Sequence, residues 1–192
     1  MPFHDTRHKT RGRSISGRIS LAASALLVTL AVTASPASAH YYSGGGSSAS
    51  FTIKPYDYNN TWMTPLNKAL SNWNVTATPA YVSKSSSSSS WLQAASFSSS
   101  WYGLYTPYGS RTSRYFRIQL NSRTIYNDAS NWSNFVTSSF VHELGHRLSL
   151  DDLTSGYCTT SIMSYCRNRI HDHTAVARHQ RCQRLLLKKG AA

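Results

Sequence analysis

Apolar and polar residues alternate along Tyr115–Asn121 (YFRIQLN) more regularly than elsewhere in the chain. Phe116, Ile118 and Leu120 fall on one face, and Tyr115, Arg117 and Gln119 on the other. That two-residue period is the pattern of a half-buried strand. Ser50 to Tyr56 alternates in the same way, and Pro79 to Ser83, Trp91 to Phe97 and Trp101 to Tyr105 read as further strands. Thr106 to Ser110 (TPYGS) reads as a turn, and Lys84 to Ser90, with six consecutive serines, as a loop. The period changes at Trp62, Leu66, Ala69, Leu70 and Trp73. Their spacing predicts an amphipathic helix over Thr61–Asn74, capped by Thr61 or Thr64, with Pro65 near its first turn. Phe140, Val141, Leu144 and Leu148 place an apolar stripe on a second helix from about Asn134 to Ser149. A last helix is expected within Asp172 to Leu187. Tyr41 to Ser50 is Gly/Ser-rich and reads as a mobile start. No repeat or linker calls for a second folded domain, so the pattern predicts one α+β domain.

The first 39 residues have a different character. Arg7, Lys9, Arg11, Arg13 and Arg18 precede an uncharged stretch, Ile19 to Ala34, and Ala37-Ser38-Ala39 supplies a small-x-small cleavage pattern. That order is expected of a secretory leader. The apolar stretch is shorter than the roughly 20 residues that span a bilayer. We therefore divide the chain into a leader, 1–39, and a secreted, extracellular domain, 40–192. The chain carries 20 Lys+Arg against 7 Asp+Glu, a formal charge of +13, and charged residues are only 14% of it. That low share excludes a salt-bridge-laced helical rod. Removing five bases and one acid with the leader leaves +9, much of it in a basic tail after Cys166. With no nucleic-acid-binding motif present, the tail reads as a solvated helix face. Cys158, Cys166 and Cys182 allow three single bridges; export makes a disulfide plausible and leaves one thiol over.

Glu143 is the single glutamate of the chain, and it stands in His142-Glu143-Leu144-Gly145-His146. Residues four apart share a helical face, so two imidazoles on successive turns can grip one metal ion. The carboxylate beside the first can take a proton from water. Asp152 follows His146 by six residues, with Asp151 as a competing ligand, and Ser161-Ile162-Met163-Ser164-Tyr165 comes soon after. His171, Asp172 and His173 form another polar cluster, but without ligand spacing. The acids are too few for a calcium cage.

HExxH, a third ligand six residues on and a methionine turn together resemble the metzincin zinc proteases. Aspartate as third ligand is similar to the small secreted snapalysin-like and matrixin-like members. Cys158 and Cys166 bracketing Met163 are also like that group. The specific resemblance covers Val141 to Cys166. It implies a metzincin-like (zincin) fold: a small twisted mixed β-sheet, an active-site helix, a Met-turn and a C-terminal helix. It also implies one catalytic zinc on His142, His146 and Asp152, with Glu143 as general base. Met163 would be the floor beneath the ligands, and Tyr165 a donor to the tetrahedral intermediate. Such families carry glycine where Ser149 stands, because the helix ends there in a left-handed turn. No cysteine precedes His142, so no thiolate latch is expected.

The function expected is a secreted zinc-dependent endopeptidase acting on protein or peptide substrates. It would be monomeric, with no nucleic-acid partner and no membrane once the leader is gone. Tyr115–Asn121 is expected at the sheet edge beside the cleft, where a peptide would add as a strand. Two rival functions are a cationic cell-surface binding protein with a non-catalytic metal site and a zinc amidase acting on cell-wall peptide.

Overall fold

The computed structural model describes residues 41–55, 59–76, 78–153 and 161–164. Chain contacts divide the protein at Pro36, and every described residue lies in the second unit, Ala37–Ala192. Strand β1 (Ser50–Ile53) leads into helix α1 (Asn60–Asn74), which returns the chain to β2 (Tyr81–Lys84). β1 and β2 pair in parallel, Ser50 opposite Tyr81 and Ile53 opposite Lys84. A parallel pair needs such a crossover, and α1 supplies it. β3 (Trp91–Ala95), β4 (Gly103–Tyr108) and β5 (Tyr115–Asn121) form a three-stranded sheet in the order β3-β5-β4. β3 runs parallel to β5, and β4 antiparallel to it. A bridge from Lys54 to Trp91 joins the end of β1 to the start of β3. Two helices follow, α2 (Ser122–Asp128) and α3 (Trp132–Arg147).

The result is a small mixed α+β domain with its core between helices and sheet. Trp73, Phe116, Ile118, Leu120, Phe140 and Leu144 are all fully buried. Phe116, Ile118 and Leu120 do occupy one face of β5, turned towards α3. α3 packs on α1, β4 and β5, and every residue from Phe135 to Arg147 is buried. It is therefore a central helix rather than a surface helix with one apolar stripe. Small side chains on its other faces (Ser138, Ser139, Gly145) allow the close approach, and the Trp73 indole donates to the Val141 carbonyl across the α1–α3 contact (3.1 Å).

Several boundaries depart from the pattern-based expectation. The cap of α1 is Asn59, whose side chain accepts from Trp62 N, and neither Thr61 nor Thr64. Pro65 consequently falls in the second turn of α1. β4 continues through Thr106-Pro107-Tyr108, and the reversal comes at Gly109, which holds φ 72. Pro107 is tolerated because β4 is an outer strand of its sheet. β5 lies between β3 and β4, so the expectation that it forms the sheet edge is corrected: the outer strands are β3 and β4, and β4 is the one beside the cavity. α2 has only seven residues, too few for its period to stand out. The start of the described chain is not a loose tail, since Tyr42 N, Gly46 N and Ser47 N all donate to main-chain carbonyls elsewhere in the fold. Tyr165, Cys158, Cys166, Cys182, the His171–His173 cluster and the expected last helix lie outside the described residues.

Candidate metal centre

α3 ends where the chemistry begins. Leu150 N donates to the Gly145 carbonyl and Ser149 N to the His146 carbonyl, both at 3.0 Å, and Ser149 takes φ 66. That is a Schellman ending, with serine in the left-handed position normally given to glycine. The conformation costs a non-glycine residue about 1–2 kcal/mol. It turns the chain sharply enough to bring Asp152 back over the last turn of the helix. Asp152 Oδ1 lies 2.9 Å from His142 Nε2 and 3.6 Å from His146 Nε2. The two imidazoles stand perpendicular, with centroids 4.9 Å apart.

Each ring is held from behind. His142 Nδ1 lies 2.9 Å from the Ile162 carbonyl and His146 Nδ1 lies 2.8 Å from the Leu150 carbonyl. A carbonyl oxygen only accepts, so each Nδ1 carries a proton and each ring turns its Nε2 towards Asp152. Backbone carbonyls of this kind orient metal-binding histidines. The donor atoms of His142, His146 and Asp152 lie within 4.8 Å of one another, so the group can hold a metal ion. Two imidazole nitrogens and a carboxylate oxygen are donors that suit a divalent transition metal. Tetrahedral bonds of about 2.0–2.2 Å set neighbouring ligand atoms roughly 3.3 Å apart, and the two observed separations lie on either side of that value. Asp151 is not in the group; its carboxylate accepts from Asp152 N (2.9 Å).

Met163 is fully buried beneath this turn of α3. A Cβ on Gly145 would overlap its sulfur, so the glycine between the two histidines is what lets the methionine approach. Leu153 N donates to the Met163 carbonyl at 2.8 Å, tying the segment after Asp152 to residues 161–164.

Glu143 is 5% exposed and points towards β4. A Cβ on Gly103 would overlap Glu143 Oε1 and stand 2.8 Å from its Cδ and Cγ. Glu143, both histidines, Asp152, Gly103 and Tyr105 line one cavity of about 190 Å³, with Tyr42 on its wall. The Tyr42 ring lies 5.1 Å from that of His146 and 6.0 Å from that of Tyr105. Burial, then the Asp151 carboxylate, raises the Tyr42 phenol above its ordinary value of 10.0. Burial raises the Tyr105 phenol further, so both rings enter the cavity as neutral hydroxyls. Tyr105 donates to the Gly44 carbonyl at 3.2 Å. Below the site, Arg147 is buried over the rings of Phe51 (4.6 Å) and Phe116 (5.9 Å), and burial lowers its pKa.

Sequence spacing points to His142, Glu143 and His146 and the resemblance to Asp152, and the structure places all four in one cavity. Spacing alone did not reach Gly103, Tyr42 and Tyr105, which come from distant parts of the chain. The Gly44–Gly46 run and the aromatic-rich strand β4 were the only traces they left.

No family model matches this chain, and no curated protein matches it. Among solved structures, it is similar to a chain in the GM1 bound form of the ECX AB5 holotoxin. The identity is 13% and the TM-score 0.39, over 68% of this chain and 70% of that one. At that score the likeness assigns neither fold nor activity.

Proposed function

We propose that this protein is a secreted, monomeric, zinc-dependent endopeptidase with a metzincin-like fold. The observation that carries the reading is the convergence of His142, His146 and Asp152 in the same cavity as the Glu143 carboxylate. His142, His146 and Asp152 would hold the zinc ion, which would supply Lewis acidity to the scissile carbonyl and to the attacking water.

The chain's own groups do the rest. Glu143 takes the proton from the attacking water as the C–O bond forms to give a tetrahedral adduct, then delivers it to the nitrogen of the leaving amine as the amide C–N bond breaks. The Ile162 and Leu150 carbonyls keep each histidine in the tautomer that leaves Nε2 as the donor. Gly103 leaves room for Glu143 in the cavity. β4 is an outer strand whose Gly103, Leu104 and Tyr105 line the cavity. It therefore takes the role first expected of β5: an extended peptide adds along it through main-chain hydrogen bonds. Among the described residues, no helix is long and apolar enough to cross a membrane.

Glu143→Gln separates this function from a binding protein with an inert metal site. The variant keeps its zinc and loses casein cleavage by about 10²–10⁴-fold. Cleavage at the parent rate by the zinc-loaded variant would contradict the assignment.

A further inference from the structure

Residues 41–48 run along the end of α3 and across the turn that follows it. Tyr42 N donates to the Ser149 carbonyl (3.1 Å) and Gly46 N to the Arg147 carbonyl (3.0 Å), while Tyr41 bridges Leu150. Arg147 Nη1 donates to the Ser48 carbonyl at 3.1 Å. On its other side the same strap accepts the Tyr105 hydroxyl from β4, at Gly44.

The glycines of this strap each face a different neighbour. A Cβ on Gly45 would overlap Ser149 Oγ and lie 2.6 Å from Ser149 N and 2.7 Å from its Cα. Gly46 lies against the Arg147 guanidinium, and Gly44 lies under the Tyr42 ring. A flexible spacer has no such fit. Gly45 and Gly46 are required by the surface the strap covers, and Gly44 by the strap's own Tyr42 ring; none of the three takes a positive φ.

That surface is the part of the site under strain. Ser149 is the one non-glycine residue at positive φ among the described residues. The next carbonyl, from Leu150, holds His146 Nδ1, and Asp152 lies two residues beyond. A strained residue persists where its surroundings over-determine it. The strap does this by bonding the carbonyls of Arg147 and Ser149 and closing over Ser149 Cα. Tyr42 meanwhile packs on the His146 ring.

We propose that the strap 41–48 is a positioning element of the metal centre: it holds the Ser149 turn, and through it the Leu150 carbonyl and the Asp152 carboxylate, where three donors converge. This rests on the zinc-endopeptidase reading. Gly45 is its tightest contact, and Ser149 is the residue through which it acts.

Zinc affinity of the full chain, measured by competition with a chromophoric chelator, tests the proposal. Far-ultraviolet circular dichroism and thermal unfolding of the zinc-free forms run alongside. Gly45→Ala is expected to keep the zinc-free fold, to bind zinc at least tenfold more weakly, and to alter the visible spectrum of the cobalt(II) form as the carboxylate ligand shifts. Ser149→Gly in the Gly45→Ala background should recover most of the affinity. The second substitution removes the overlapping hydroxyl, and the freer backbone of a glycine at 149 lets the turn give way where the added methyl meets its N and Cα, a rescue that simple loss of packing would not show. Tyr42→Ala, which leaves the strap's main-chain bonds in place, should weaken zinc binding at least threefold in a chain that still folds without zinc. It decides the question if Gly45→Ala does not fold. Parent-like zinc affinity in the folded variants overturns the strap's role and leaves the metal centre standing. A parent chain that binds no zinc overturns the metal centre and the strap's role together.

Discussion

Gly103 shows how little room the candidate base has. It takes no positive φ, so conformational freedom does not explain the glycine. What requires it is the Glu143 carboxylate, which occupies the space a Cβ would fill. Gly103→Ala should displace that carboxylate while leaving His142, His146 and Asp152 untouched. Displacing a catalytic group by about 1 Å lowers rate by about 10²-fold. The expected result is a kcat for casein reduced by that order, with zinc content unchanged. An alanine variant with parent kcat would show that Glu143 does not act from this position. Glu143 is a different kind of residue from the ligands. His142 and His146 are anchored by carbonyls behind them, whereas Glu143 is placed by a strand from another part of the chain.

The end of α3 is where local sequence and tertiary structure disagree. Replacing Ser149 by glycine removes a left-handed serine, worth about 1–2 kcal/mol, and returns roughly 0.5–1 kcal/mol through the greater freedom of the unfolded chain. It also removes a buried hydroxyl that has no hydrogen-bond partner among the described residues. The net gain is about 1 kcal/mol, a rise of roughly 2–4 °C in Tm by calorimetry. A lowered Tm would mean that the serine hydroxyl supports the turn. The same stretch shows what could be read in advance. His142, Glu143 and His146 share one helix, so helical spacing put them together, whereas Asp152 lies beyond the helix end and was legible over Asp151 only through the metzincin resemblance. β5 was legible because its alternation reflects one covered face. The edge role of β4 was not, because which of two alternating strands is central depends on pairing and not on period. α2 is too short to show a period, and Asn59 is one of several residues near the start of α1 able to cap it. The strap was read as a loose start because a Gly/Ser run fitted against another surface has the same composition as a spacer.

Across the whole molecule, the buried phenols set an alkaline limit. Burial raises Tyr105 and Tyr42 above 10.0, so the folded state favours their neutral forms. The folded state then binds more protons than the unfolded one above that value, and stability falls as pH rises there. The contribution is fully present below pH 10.0 and is lost progressively above it. Thermal midpoints should hold from pH 7 to 9 and drop above about 10, with a shallower drop for Tyr105→Phe. An equal drop in that variant would assign the alkaline limit to other groups. On the proposed reading, one zinc ion gripped by His142, His146 and Asp152 carries the hydrolysis of peptide bonds. The most direct measurement is zinc content of the purified chain taken together with its casein cleavage, before and after chelation and after zinc is returned. The account predicts one zinc per chain, loss of cleavage when the ion is stripped and recovery when it is restored. A chain that cleaves casein equally well without the ion, or that carries one ion and cleaves nothing, would contradict it.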